Sequence, residues 1–125
     1  MSYQEWLLAL CIWREARGEE YKAKAGVAWS IRNRVARPGW WGNSLYTVIL
    51  KPWQYSSFNA GDPNATKFPV PDDMYWLDCV RATAEPDDVS LGATHYYDRS
   101  LDGHPPEWAK SMTHTCNLGN LRFFK

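Results

Sequence analysis

The sequence predicts an α+β domain dominated by helix, on two observations. Apolar residues recur at helical spacing in separate segments up to about residue 83, each closed by cap or breaker residues. Beyond residue 92 that period gives way to extended and alternating stretches. With 125 residues, residues 1–125 form one domain, long enough to bury a core without disulfides or metals.

Ser2 to about Arg17 reads as a first helix, with Gly18 as its stop. Leu8, Cys11 and Ile12 lie seven, four and three residues before Glu15, so all four share one stripe and the helix is expected to be central. Glu20 to about Ala36 reads as a second helix. Val27, Ile31 and Val35 repeat every four residues with Ala28 beside them, and Glu20 and Lys24 offer an i,i+4 ion pair on the outer face. Pro38-Gly39 ends it. Asn43 or Ser44 caps a third helix through Leu50, closed by Pro52.

From Trp53 to Pro71 no period holds, and a loop of about 19 residues inside a small domain is long enough to suggest function. Asp72 or Asp73 then caps a fourth helix, with Trp76, Cys79, Val80 and Thr83 on one face, ending before Pro86. Ala93 to Asp98 reads as extended and Glu107 to Ser111 as a turn of helix. Met112 to Phe124 alternates around Leu118-Gly119-Asn120, which predicts a short strand pair packed on the helices. The chain has no internal repeat and no linker.

Fourteen basic and fourteen acidic side chains give zero formal net charge, which argues against electrostatic recruitment to nucleic acid or to an anionic membrane. The apolar run Trp6 to Trp13 is too short to span a bilayer. It also lacks the basic flank and cleavage site of a secretory signal. A protein made in the cytoplasm and released by another agent is therefore expected. Eight Trp and seven Tyr are many for this length, and such amphipathic rings suit both a core and a groove that stacks on sugars. Cys11, Cys79 and Cys116 are an odd number without CxxC spacing, and two fall on apolar helix faces. They read as small buried hydrophobes from a reducing compartment.

Glu15 is the candidate for chemistry. A carboxyl group extending an apolar stripe is desolvated and holds its proton more tightly. A carboxylic acid still protonated near neutral pH is what protonation of a glycosidic oxygen requires. The competing reading is a helix-end Glu paired with a neighbouring Arg. His95, His104 and His114 with Asp98 or Cys116 match no common zinc spacing, so no metal or other cofactor is expected. A Cys-His peptidase is disfavoured because each Cys lies where it should be buried. A non-catalytic binding module built on Trp40-Trp41, Trp53 and Tyr55 would have no use for Glu15.

The run Glu15-Ala16-Arg17-Gly18-Glu19, followed by Ala25-Gly26-Val27-Ala28 and Asn33-Arg34-Val35, resembles the cell wall hydrolase family typified by the spore-cortex-lytic enzymes SleB and CwlJ. Pro52-Trp53-Gln54-Tyr55-Ser56, Gly92-Ala93-Thr94-His95-Tyr96-Tyr97 and the ending Leu118-Gly119-Asn120-Leu121-Arg122-Phe123-Phe124 are similar to later motifs of that family, in the same order. Leu121 stands where the family usually has His, and the loop carries Gly61-Asp62-Pro63-Asn64.

The resemblance implies a lysozyme-like, lytic-transglycosylase-type fold acting on peptidoglycan glycan strands, with Glu15 as catalytic acid. It also suggests a phage or prophage endolysin that reaches the wall when the inner membrane is opened. Lytic transglycosylation needs only one carboxylate, and no obvious second partner to Glu15 stands out. Glu19 is expected to cap or orient the second helix and Asp62 to form a turn. Asp98 lies in a segment that borders the expected groove. Gln54, Ser56, Tyr96 and Tyr97 are candidates for gripping acetamido groups and hydroxyls, with one of the two tyrosines facing inward on its strand. Arg17 is a weaker candidate for stem-peptide carboxylates. The enzyme is expected to act as a monomer, with no nucleic-acid partner and no stable membrane insertion.

Overall fold

A computed structural model describes all 125 residues. Four α-helices come first: α1 (Tyr3–Ala16), α2 (Tyr21–Ala36), α3 (Leu45–Ile49) and α4 (Met74–Thr83). Three strands follow, β1 (His95–Asp98), β2 (His114–Leu118) and β3 (Leu121–Phe124), with short 3-10 turns at Ser56–Phe58, Arg99–Leu101 and Glu107–Ser111. The helix starts are set by their caps. Ser2 and Glu5 form a reciprocal capping box on α1, Ser44 and Thr47 do the same on α3, and the Asp73 carboxylate accepts from the Tyr75 and Trp76 amides of α4. Glu20 precedes α2 without a side-chain cap.

Every residue from Leu7 to Trp13 is buried, so α1 has no solvent face along that run. It packs against α2, α3 and α4, and the core forms around it as one cluster of 23 buried residues. Cys11 and Cys79 are fully buried free thiols, while Cys116 is half-buried. No helix is long and apolar enough to cross a membrane.

Lys24 departs from its expected outer position and its expected pairing with Glu20. It is 1 % exposed, its ammonium lies 4.0 Å from Asp78 of α4, and it sits over the Tyr75 ring. The repeat that puts Val27 and Ile31 inward marks only one side of α2. Packing of α4 against that helix covers a second side, which a single periodic stripe does not reveal.

The terminal strand pair is present as the β2–β3 hairpin, and β1 joins it to make a three-stranded antiparallel sheet ordered β1-β3-β2. Two close approaches fix the sheet against the helices. A Cβ at Gly26 would lie 2.7 Å from Phe123 Cζ and 2.8 Å from Leu118 Cδ1, so glycine lets those side chains settle on α2. At the hairpin, Gly119 adopts φ +55, and a Cβ there would lie 2.7 Å from a Glu19 carboxylate oxygen. That carboxylate accepts from the Asn120 amide at 2.7 Å and from Asn120 Nδ2 at 2.9 Å. Glu19 thus fastens the sheet to the α1–α2 junction, with no cap bond to α2.

Candidate active site

Glu15 occupies the last turn of α1, one residue before the helix ends. The side chains below it on the stripe, Leu8, Cys11 and Ile12, are fully buried, and Glu15 itself is half-buried. It opens into a cavity of about 450 Å3. Glu15 forms no salt bridge, so the helix-end ion-pair reading does not hold. Burial raises its carboxyl pKa above the ordinary glutamate value. The Ser57 hydroxyl opposes that shift, Asp62 adds to it by charge repulsion, and the Tyr96 hydroxyl opposes it. The Ser57 contact falls short of full hydrogen-bond geometry, leaving a buried Oγ without a partner.

Arg14 explains how the irregular segment reaches Glu15. Its buried guanidinium donates to the backbone carbonyls of Ser57 (3.3 Å), Ala65 (3.1 Å) and Lys67 (3.0 and 3.1 Å). The Phe58 and Phe68 rings lie against it at 4.7 and 4.9 Å. One side chain thus gathers both ends of the loop onto the end of α1 and places Ser57 beside the acid. Asp62 is bound within the same loop, its carboxylate accepting from the Asn64 amide at 2.8 Å, as expected of a turn former.

The opposite wall is set by the Asn33-Arg34 pair of α2. Asn33 Nδ2 donates to Asp88 and to the Ala93 carbonyl, and Arg34 Nε donates to the Thr94 carbonyl at 2.6 Å. These bonds seat the start of β1, so that His95 and Tyr96 line the cavity. Arg34 also lines it, donates to Gln54 Oε1 at 3.2 Å, and lies over the rings of Trp41 and Tyr55. Trp40, Trp53 and Trp108 complete the rim with Gln54 and Tyr55.

Of the sequence candidates, Glu15, Gln54 and Tyr96 meet at this cavity, whereas Ser56 and Tyr97 do not line it. Ser56 is exposed at the start of its 3-10 turn, and the buried neighbour Ser57 is the one that reaches the acid. Tyr97 alternates away from Tyr96, stacks on Phe124 and meets Trp108 edge-on. Arg17 is committed to the Trp13 ring at 4.3 Å, and Asp98 caps a 3-10 turn by accepting from the Ser100 amide.

Arg34 and Trp108 are not among the sequence candidates, and His95 is weighed there only as a zinc ligand. The family-like Asn-Arg pair and the His before Tyr96 were the available signals. His95 lies between Trp41 and Trp108. Burial, helped by Arg34, pushes its pKa down to about 4, so it is neutral at physiological pH. No three His, Cys, Asp or Glu side chains converge in a metal-binding group. Burial raises the thiol pKa of Cys11, and that of Cys79 to about 12.

No curated protein sequence matches the chain. Its structure is similar to the catalytic domain of the germination-specific lytic transglycosylase SleB from Bacillus anthracis, with a TM-score of 0.77 at 22% identity, over 100% of this chain and 97% of that one. The catalytic domain of the Bacillus cereus SleB protein is similar at a TM-score of 0.75 and 22% identity, over 98% and 89% of the two chains. The shared fold is the α+β arrangement expected from the sequence. The cell wall hydrolase family model matches residues 18–124. That segment begins after Glu15, so the place of Glu15 in the cavity rests on the structure itself. With nearly its whole length matched, the chain belongs to the cell wall hydrolase family and is a peptidoglycan-cleaving enzyme.

Proposed function

We propose that the chain is a lytic transglycosylase that cleaves between N-acetylmuramic acid and N-acetylglucosamine, with Glu15 as acid and then base. The observation that carries this reading is that Glu15 is the one carboxyl group lining the cavity. Hydrolysis by retention or inversion uses two carboxylates flanking the bond. Asp62 is close enough to influence Glu15, but it is turned into its own Asx turn and does not line the cavity.

The chemistry then closes with one group. Protonated Glu15 gives its proton to the glycosidic oxygen as the bond from muramic C1 to that oxygen breaks, and N-acetylglucosamine leaves as an alcohol. The muramic 6-hydroxyl oxygen bonds to C1 and passes its proton to the Glu15 carboxylate. A 1,6-anhydro end forms, no water is consumed, and Glu15 is again protonated. Desolvation favours the neutral, protonated acid before the step, while the Ser57 and Tyr96 hydroxyls favour the carboxylate that appears midway. Gln54 and Tyr96 line the cavity with Glu15, and in this reading their amide and hydroxyl groups hold sugar polar groups.

The test is digestion of purified peptidoglycan by wild type and Glu15→Gln, with and without a chelator, followed by mass spectrometry. Anhydro-muramic ends that persist with chelator and vanish in the variant are expected. Reducing ends would instead establish a hydrolase, and release of peptides from intact glycan would establish an amidase.

A further inference from the structure

Trp53 combines two features that folding alone does not favour. It is 83% exposed, and its backbone lies at φ +68, in the left-handed region that a bulky side chain ordinarily avoids. The loop holds it there, since the Trp53 amide donates to Asn59 Oδ1 at 3.1 Å. The result is an indole standing on the rim of the Glu15 cavity. The same residue also lines a second hollow of about 250 Å3, together with Leu50, Pro52, Phe58, Asn59 and Ala60. No charged side chain lines that hollow.

We propose that Trp53 and Asn59 form a sugar subsite that holds the N-acetylhexosamine ring next to the bond cleaved at Glu15. The proposal rests on the glycan-cleaving reading above. An exposed indole offers its face to the axial C–H groups of a sugar ring. With its oxygen taken by the Trp53 amide, Asn59 keeps its NH2 group to donate to an acetamido carbonyl. The uncharged lining suits the sugar backbone rather than a stem-peptide carboxylate. Because Trp53 lines both the hollow and the cavity, the two adjoin at its ring, and a strand lying across Glu15 and past that ring reaches the hollow. The strained backbone is the cost of aiming the ring outward.

The experiment measures binding of peptide-stripped glycan fragments in the Glu15→Gln background, so that turnover does not intervene. Trp53→Gly is the main variant, since glycine accepts the left-handed backbone while removing the ring. Trp53→Phe keeps a stacking face. The expected result is roughly tenfold weaker binding for Trp53→Gly, with Trp53→Phe within about threefold of its parent and melting temperatures within a few degrees. Equal binding by Trp53→Gly and its parent would overturn the subsite. If wild type makes anhydro ends and Trp53 variants bind normally, the subsite fails alone. If wild type releases no glycan fragments yet binding still depends on Trp53, the subsite stands and the catalytic reading fails.

Discussion

Glu15 is tuned by neighbours of opposite sign, and those neighbours are separable by mutation. Asp62 raises its pKa by repulsion, whereas the Ser57 hydroxyl lowers it. Activity that needs the protonated acid is lost as pH rises through that pKa. Asp62→Asn is therefore expected to move the alkaline limb of kcat/KM to lower pH, and Ser57→Ala to move it to higher pH. A pH–rate profile of each variant checks this, and shifts in the same direction would contradict the arrangement. At this scale the sequence was partly legible. Helical spacing placed Glu15 on the buried stripe, and alternation along a strand said that one of Tyr96 and Tyr97 faces inward. It did not say which, because the side of the sheet facing the helices depends on Gly26 admitting Phe123, the cross-strand partner of Tyr96. Ser56 and Ser57 differ only by the direction of a 3-10 turn, which Arg14 sets from 43 residues away.

Among the elements, the long loop depends most on a single side chain. Arg14 binds three carbonyls of that loop through a planar fork, a geometry that lysine cannot reproduce. Arg14→Lys should cost about 2 kcal/mol of stability, since several charge-assisted bonds to the loop carbonyls are lost, the one to Ser57 fully buried. Hydrogen exchange should accelerate in residues 56–67 well before the helices, and activity should fall with it. The loop was legible as an aperiodic segment, but its fastening was not. Arg14 reads in sequence as a polar residue beside Glu15 near the end of a helix. Lys24 shows the same blindness from the other direction, since a charged residue off the main apolar stripe became interior once α4 packed over it.

For the molecule as a whole, placing the acid half inside the core has a thermodynamic signature. A carboxyl group whose folded pKa is raised above its unfolded value stabilises the fold below the ordinary glutamate range, and that contribution is lost as pH rises through the raised value. Glu15→Gln should therefore melt a few degrees above wild type at pH 8, with the gap closing toward pH 4. Thermal denaturation across that range decides it. The helical half of the fold was readable because caps and periods are local. Strand order was not, since the pairing of β1 with β3 joins residues more than 20 positions apart.

That pairing also makes completion of the cavity depend on a strand far along the chain from Glu15. The strand carrying His95 and Tyr96 finds its only sheet partner in β3, the third of the three strands in chain order. Asn33 and Arg34 seat the start of β1 from α2, but beyond residue 94 that strand is held in the sheet by β3 alone. Closing the sheet and completing the wall that faces Glu15 are therefore a single event, so loosening β3 should open the cavity while leaving the four helices in place.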